Sequence, residues 1–444
     1  MNLATPHVAA HAHHITPPVV EPPADVSIRA RRGRVLLVTS NFPRWAGDST
    51  TPFILHLAQD LQSLGWQARV LAPHAPGAAA LEELEGVQVE RFRYLWPESG
   101  QTVCYNGGAL INLRKSRLNA LKLPALVGAE FAAIARSLRS RQFDVVHSHW
   151  ILPQGLTAGL AARLVRVPHI ATVHGGDVFA LQGSFLRRFK RLAFKLADAV
   201  TVNSSATRQA VARIGHCEAP VLTIPMGVNP PSTSAKAIEI ARGHYRRGNG
   251  PLMIFVGRLV EEKGVMDFLE AVSDLRGTIP TVTGLVVGEG QDRPLFERRR
   301  RQLGLEDAVR FTGWLNSTEI APLLAASDVL VAPSKRSRDG WVEAQGLTIA
   351  EAMLAGVPVV ATASGGIVDL VHDRETGLTV PEAAPAAIAE AVRQIHGDMP
   401  LRDRMIGKAR QLAERDYTRR GTAKRFSDLF EQVIACRPDH ESAG

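Results

Sequence analysis

The chain of 444 residues is poor in cysteine and contains no long apolar run. Its three cysteines, Cys104, Cys217 and Cys436, lack the close spacing of a zinc or redox motif, which favours a reducing compartment. Apolar stretches such as Val357–Ala363 fall far short of the ~18 residues that a membrane-spanning helix needs. With 45% hydrophobic and 21% charged residues, the composition excludes collagen, coiled coils and wholly disordered chains. The length predicts two or three domains.

Residues 1–30 do not have a basic start followed by a continuous apolar segment, so we expect a disordered tail and no secretory signal. Charge is distributed unevenly over the remainder. Residues 26–225 hold 24 basic and 12 acidic side chains, whereas residues 226–444 hold 28 and 29. Such a basic half is suited to binding anionic lipid, nucleic acid or an anionic substrate. A surface that is merely solvated would show the same excess of basic residues.

Short apolar runs alternate with helical periodicity along two series, typical of parallel strands that helices cover on both faces. A stretch rich in Pro, Gly and Ser separates the series. We therefore predict an α/β protein with two Rossmann-like, doubly wound domains that face each other across a cleft. The predicted parts are an N-terminal domain over 31–225, a linker over 226–250, a C-terminal domain over 251–415, and a last helix at about 416–436 that returns to the first domain.

Two cations follow the first predicted strand of the second series, Leu252–Val256. Arg258 comes directly after Gly257, and Lys263 lies five residues further on, just before a helical pattern. A strand, a glycine turn and a helix start place such cations beside an anion site, and a diphosphate is a suitable ligand for that site. Surface cations are also common in loops of this kind.

Two carboxylates, Glu343 and Glu351, flank a glycine, Gly346. If the glycine breaks the backbone, Glu343 lies in a loop and Glu351 about one turn inside the next helix. The N–H groups of residues 346–348 would then point at an anion. Carboxylates accept hydrogen bonds from neighbouring sugar hydroxyls, although solvated helix charges are the ordinary alternative.

Taken together, these motifs resemble the retaining glycosyltransferases of family four, which have the GT-B fold. The resemblance covers nearly the whole chain after residue 33. It is carried by motifs in the family's order, namely His174-Gly175-Gly176-Asp177, Gly257-Arg258-Leu259 with Lys263-Gly264, Glu343 and Glu351 in the E-x7-E arrangement, Gly356-Val357-Pro358, and Gly365-Gly366.

The resemblance implies a donor site in the second half. Arg258 and Lys263 should hold the donor diphosphate, and Glu343 the hydroxyls of the donor sugar. Glu351 should take the ribose hydroxyls. The remaining donor-binding residues implied are Gly346, Leu347 and Thr348 through the backbone, and Trp314 and Leu315 at the base. Gln345 departs from the family, which often has an aromatic or other apolar residue at this position. Because of this departure, the resemblance does not indicate which donor sugar is preferred.

The first half should supply the acceptor side. His174 matches the family histidine near the transferred sugar, and a packed histidine at a strand end is the alternative. His149, Asp177 and Gly47 are weaker candidates for the acceptor or sugar pocket. His147 and His149 share one face of a strand, as metal ligands can, but no third ligand can be placed. No metal and no cofactor are expected.

The implied activity is the transfer of a hexose from a nucleotide sugar to a polysaccharide, lipid-linked or other glycan acceptor. A nucleotide-sugar epimerase of the same fold and a non-catalytic nucleotide-sugar-binding protein are the alternatives. We expect a cytoplasmic protein that does not bind nucleic acid. Its segment 185–195 mixes cations with apolar residues at helical spacing, which predicts contact with the anionic inner face of a membrane, or else an ordinary packed helix.

Overall fold

The computed structural model describes residues 32–48, 50–105, 108–179, 183–338 and 340–436. The tail predicted for residues 1–30 lies outside these ranges. Within them, the strands form one sheet of eight and one of six. Both sheets carry helices on their faces, so the predicted fold class is confirmed.

The first sheet has the order β3-β4-β2-β1-β5-β6-β7-β8, and its neighbours are parallel except for the antiparallel pair β3–β4. Its strands are β1 (Gly33–Val38), β2 (Trp66–Pro73), β3 (Leu81–Leu84), β4 (Val87–Phe92), β5 (Val145–His149), β6 (His169–Val173), β7 (Ala199–Val202) and β8 (Val221–Thr223). The helices of this half are α1 (Pro52–Ser63), α2 (Ala109–Lys115), α3 (Arg117–Leu121), α4 (Leu123–Arg139), α5 (Leu156–Val165), α6 (Gly176–Phe179), α7 (Ser184–Leu196) and α8 (Ser205–Ile214).

The second sheet is parallel throughout, with the order β11-β10-β9-β12-β13-β14. Its strands are β9 (Leu252–Val256), β10 (Thr283–Val287), β11 (Val309–Gly313), β12 (Val329–Ala332), β13 (Val359–Thr362) and β14 (Leu378–Val380). The helices that follow α8 are α9 (Ala235–Tyr245), α10 (Val265–Arg276), α11 (Arg293–Gln302), α12 (Ser317–Ala326), α13 (Leu347–Leu354), α14 (Pro385–Gly397), α15 (Met399–Asp416) and α16 (Arg419–Ala435).

Each sheet reverses its strand order at one point, next to its first strand. In the first sheet this point lies between β1 and β5, and in the second between β9 and β12. The loops that leave the carboxyl ends of such strands diverge and open a crevice, which is the usual ligand position in doubly wound sheets. The fold thus presents the loops after β1 and β5 and those after β9 and β12 as site loops.

A hairpin in the first half and a helix in the linker were not predicted from the sequence. The hairpin β3–β4 turns at Glu85 and Gly86, both with positive φ, and a search for apolar runs misses its strands because polar and charged residues interrupt them. Helix α9 lies inside the segment predicted as a linker. Ser234 caps its first turn, and Ala241 packs into the core of the second half.

The last helix, α16, packs against α1 of the first half. Its Ser427 hydroxyl accepts a hydrogen bond of 2.9 Å from the buried indole of Trp66, and Arg419 pairs with Asp60 at 2.8 Å. Phe426 and Phe430 are fully buried in the core of the first sheet. Among the described helices, none is long and apolar enough to span a membrane.

Candidate active site

The loop after β9 is drawn against the end of β12 by a glycine. Gly264 has φ +75°, and a β-carbon there would collide with the carbonyl oxygen of Pro333. Only glycine allows this approach. The preceding residue, Lys263, therefore reaches the loop that carries Glu343.

Lys263 and Glu343 form a direct ion pair between these two loops. The ammonium group also lies 5.2 Å from the ring centroid of Trp341, a contact that no sequence pattern predicts. Burial opposes the ionisation of Glu343, but the charge and hydrogen bond of Lys263, helped by the charge of Arg258, lower its pKa below the usual value. Glu343 is thus an anion paired with Lys263, and Arg258, which is exposed, adds a weaker attraction.

Helix α13 begins directly after Gly346, which has φ +85° and caps the helix in the left-handed conformation. The predicted break between the two carboxylates is therefore present. The first N–H groups of a helix have no partner within it, so those of Leu347 and Thr348 are oriented to bind an anion.

The glycine pair Gly365 and Gly366 supports the Glu343 loop from behind. A β-carbon at either position would collide with the backbone of Glu343 or Ala344, and the N–H of Gly366 donates to the carbonyl of Glu343 at 2.7 Å. The amide of Gly366 therefore holds the Glu343 loop in place.

Glu351 lies in the second turn of α13 and is largely buried. Burial raises the pKa of its carboxyl to about 7. Among the described residues no cation pairs with this carboxyl, so it is poised to ionise when hydroxyl donors approach.

Trp314 and Leu315 follow β11, two strands away from β9. The indole of Trp314 is 51% exposed, although aromatic rings usually pack inside. The carbonyl of Gly313 accepts from Gly288 at 2.9 Å, which fixes this loop on the end of β10. An exposed ring on the carboxyl edge of the sheet is available to a planar ligand.

On the first sheet, His149 ends β5 and His174 follows β6. Their ring nitrogens Nδ1 and Nε2 lie 3.0 Å apart, and the rings are stacked with centroids 5.2 Å apart. The rings of Phe53 and Trp150 both contact that of His174, with centroids 5.2 and 4.8 Å from its own. His149 is fully buried, whereas His174 is partly exposed. The structure thus brings these two predicted residues together but presents only His174 to the cleft.

Asp177, predicted near the acceptor, is 2% exposed. Its carboxylate accepts 2.8 Å and 3.0 Å hydrogen bonds from the backbone N–H groups of Ile151 and Gly175. These two groups belong to the loops after β5 and β6. Asp177 therefore ties the two loops together.

The loop after β1 is folded around Asp48, which accepts hydrogen bonds from the backbone N–H of Arg44 at 2.9 Å and from its side chain at 2.7 Å. Gly47 stands exposed at the tip with φ +79°. The loop lies at the carboxyl end of its sheet, as predicted for the acceptor side.

The two halves touch beside the site. A β-carbon on Gly175 would lie 2.5 Å from that of Ala344. The backbone N–H of Ser205 donates to Asp369 at 2.7 Å. The loops that carry His174 and Glu343 are therefore neighbours.

Gln345, expected to bear on the donor sugar, points elsewhere. Its buried amide accepts a 3.0 Å hydrogen bond from the N–H of Met226 and donates one of 2.6 Å to the carbonyl of the same residue. Met226 lies where the chain leaves the first half. Gln345 thus fastens the Glu343 loop to the interdomain crossing, which no sequence pattern signals. In the described ranges, no group of three or more His, Cys, Asp or Glu side chains is placed to hold a metal ion.

Comparison with known proteins gives two family matches. Residues 238–412 match the family described as glycosyl transferases group 1, and residues 51–231 match glycosyltransferase family 4. The chain is 32% identical to a 2-deoxystreptamine glucosyltransferase of Streptomyces kanamyceticus over 300 residues, covering 62% of this chain and 74% of that one. It is 28% identical to a phosphatidyl-myo-inositol mannosyltransferase of Mycobacterium leprae, covering 86% and 92%.

Solved structures share the fold. The Anabaena protein HepE, crystallised with UDP, superposes with a TM-score of 0.71 at 20% identity, over 90% of this chain and 100% of that chain. Sucrose-phosphate synthase from Thermosynechococcus elongatus gives 0.70 at 20% identity, over 91% and 100%. Both likenesses concern the arrangement of the two sheets.

Proposed function

The chain belongs to the family 4 glycosyltransferases, and we propose that its second half holds a nucleotide-sugar donor while its first half presents the acceptor. The enzyme is a hexosyltransferase of the GT-B fold. The observation that carries the division is the placement of Lys263, Glu343 and the start of α13 at one point on the second sheet.

In this proposal, Arg258 and Lys263 bind the diphosphate, together with the N–H groups at the start of α13. Glu343, paired with Lys263, accepts hydrogen bonds from the donor sugar. Because burial keeps the pKa of Glu351 near 7, its carboxylate gains most from hydroxyl donors, and we assign it to the ribose. Trp314 and Leu315 take the base.

The first half contributes His174 beside the transferred sugar. Burial lowers the pKa of His174 to about 3, so the ring is neutral at physiological pH. Gly47, at the tip of the loop after β1, lines the acceptor pocket. Asp177 positions the loops on which His174 stands, and His149 lies behind the histidine rather than in the pocket.

The mechanism follows from where charge develops. Cleavage of the bond between sugar and diphosphate leaves positive character on the ring and negative charge on the nucleotide. Preorganised cations and amides around the phosphates give the largest stabilisation. The acceptor hydroxyl attacks from the side of the departing diphosphate, and its proton passes to a phosphate oxygen. This front-face route retains the anomeric configuration and uses no covalent enzyme intermediate.

We assign the acceptor to the lipid-linked or other glycan class because of α7. Its exposed face carries Phe185, Phe189 and Leu192, which are 70%, 37% and 41% exposed, beside the cations Arg187 and Arg188. Phe194 of the same helix packs into the core, so only part of the apolar side chains of segment 185–195 is exposed. An apolar face flanked by cations suits the anionic headgroup region of a membrane. The similar mannosyltransferase acts, by its name, on a phosphatidylinositol lipid.

A donor panel tests the proposal. UDP-, GDP- and ADP-sugars are added to the purified enzyme, and the melting temperature and the release of nucleotide are recorded for each. We expect one nucleotide class to raise the melting temperature and to be released slowly by hydrolysis. Glu351→Gln is the matched variant, and it should lose the thermal shift with the same nucleotide. No shift and no release with any member of the panel would refute the donor site.

A further inference from the structure

A row of histidines lies behind the pocket, at the ends of β5 and β6. His147 and His149 alternate along β5 and face the same side, with ring centroids 4.2 Å apart. His149 continues the row to His174 through its Nδ1 atom, at 3.0 Å from Nε2 of His174. Of the three rings, that of His174 is partly exposed to the cleft.

All three rings are neutral. Burial, reinforced by the neighbouring histidines, lowers the pKa of His147 and of His149 well below the usual value. Burial alone does the same for the pKa of His174. A neutral imidazole carries one ring proton, so one nitrogen donates and the other accepts. The hydrogen bond between His149 and His174 therefore needs one ring to donate and its partner to accept.

The surroundings of His149 decide which ring donates. Its Nε2 atom is buried and has no hydrogen-bond partner among the described residues. If His174 were the donor, the proton of His149 would sit on that Nε2, as a buried N–H without an acceptor. If His149 donates through Nδ1, only a lone pair is left there. Orphaned N–H groups are rarer in proteins than unsatisfied acceptors, so the second arrangement is favoured.

We infer that His149 is a positioning residue that holds His174 in the tautomer protonated at Nδ1. The Nε2 atom of His174 accepts from His149, which leaves Nδ1–H as the ring group free for a ligand. That group donates a hydrogen bond, so its partner is an acceptor such as a sugar hydroxyl oxygen. This inference rests on the proposed function only in placing His174 beside the sugar.

The same arrangement limits what His174 does in the reaction. Its acceptor nitrogen is already occupied, and its other nitrogen carries a proton. His174 is therefore unable to take the proton of the attacking hydroxyl, and the departing phosphate remains as its acceptor. The histidine orients the sugar rather than acting as a base.

Packing from the last helix keeps the row in place. His147 contacts the rings of Phe426 and Phe430 at 4.7 and 5.5 Å. Its Nε2 lies 2.6 Å from the hydroxyl of Thr172 on β6. A ring held on both sides leaves His149 little freedom to turn away from His174.

Nitrogen-15 NMR of the ligand-free enzyme, labelled at histidine, tests the inference directly. Ring-nitrogen shifts and couplings identify the protonated atom, and the spectrum of His174→Gln assigns the signal. We expect His174 to carry its proton on Nδ1 in the wild type. A proton on Nε2 of His174 would overturn the inference.

Two variants sharpen the test. His149→Leu removes the donor and should let the proton of His174 redistribute to Nε2. His149→Asn retains an N–H near the position of Nδ1 and should keep the Nδ1–H form. His169→Gln is the control, because His169 is equally buried and its Nε2 contacts Ser148 at 2.8 Å, away from His174. An unchanged tautomer in His149→Leu would contradict the inference.

Turnover then separates this inference from the proposed function. With the active nucleotide sugar, we expect His149→Leu to lower kcat/KM about tenfold, the usual effect of losing one neutral hydrogen bond, and His149→Asn to restore most of it. A tautomer that shifts as expected without loss of turnover would show that His174 does not contact the sugar. That outcome would refute its proposed role and leave the tautomer assignment standing.

Discussion

The two halves of the molecule place different kinds of side chain in the loops that meet beside the site. The second half places ionised groups there, with Lys263 paired to Glu343 and Arg258 exposed beside them. The first half places neutral rings in the loops after β5 and β6, with His174 stacked on His149 and in tilted contact with Phe53 and Trp150. Its basic side chains lie outside the loops after β5 and β6, and they include Arg44, paired with Asp48 after β1, and those on the outer face of α7.

This difference matches the charges of the reaction. The leaving diphosphate gains negative charge and needs cations that are already in place, because preorganised groups cost no rearrangement during the reaction. The sugar ring gains positive character, so a cationic histidine beside it would oppose the reaction. Burial of His174 keeps that ring neutral. The comparison predicts that charge removal is most harmful in the second half.

Replacing the cations should have the largest effect. We expect Arg258→Ala and Lys263→Ala each to weaken transition-state stabilisation by about 2 to 4 kcal/mol, or roughly 30- to 1,000-fold in kcat/KM. Arg276→Ala is the control, because Arg276 pairs with Asp307 on the surface of the same half. Melting temperatures show whether either variant is unfolded. Wild-type turnover in both folded variants would show that the two cations do not bind the diphosphate.

Substitutions of the two carboxylates should affect the binding of the free nucleotide and of the nucleotide sugar differently. We expect Glu351→Gln to weaken the binding of the free nucleotide and of the nucleotide sugar alike. The expected loss is about 1.5 to 3 kcal/mol, the range for hydrogen bonds to a charged group. Glu343→Gln should weaken mainly the nucleotide sugar. Titration calorimetry with both ligands measures this. Equal losses for both ligands in both variants would contradict the assignment.

The affinity for the nucleotide should depend on pH through Glu351. The pKa of its carboxyl is raised to about 7, and in the proposed donor site the ribose hydroxyls bind the ionised form. Affinity is therefore full above that pKa and falls by up to about tenfold per pH unit below it. Calorimetry between pH 6 and pH 8, chosen to span this range, should show the fall in the wild type. The same slope in Glu351→Gln would assign the titration to another group.

The smallest effect concerns the outer face of the first half. We expect the double variant Phe185→Ser with Arg188→Ser to bind anionic vesicles at least about fivefold less, because one basic residue contributes about 1 kcal/mol at such a surface and loss of the apolar ring adds to it. Leu295→Ser with Arg298→Ser, at the same spacing on α11, is the matched control. Binding should also weaken near 1 M salt, where the Debye length is about 3 Å. Equal co-sedimentation with neutral and anionic vesicles would contradict the docking proposal.

Much of this architecture could be predicted from the sequence. Buried parallel strands such as Leu252–Val256 are continuous apolar runs, and covering them requires helices on both faces. Gly346 also predicted where α13 begins, because a left-handed cap favours glycine. Charged edge strands such as Leu81–Leu84 were not predicted, because they bury only one face and therefore contain no continuous apolar run.

The orientation of individual side chains could not be predicted. Gln345 stands between two site residues in sequence, yet its amide bonds the backbone of Met226, 119 residues away. Asp177 follows His174 closely but is held inward by two backbone N–H groups. Such choices depend on which backbone groups remain unpaired once the chain is folded, and a linear pattern does not contain that information.

Hydrogen–deuterium exchange tests the contrast between the halves most directly. It is measured on the wild-type enzyme alone, with the nucleoside diphosphate, and with the corresponding nucleotide sugar. We predict that the diphosphate slows exchange in residues 257–264 and 346–351, and that the attached sugar is needed for added protection in residues 172–179. Protection of residues 172–179 by the diphosphate, with residues 257–264 and 346–351 unchanged, would contradict the account.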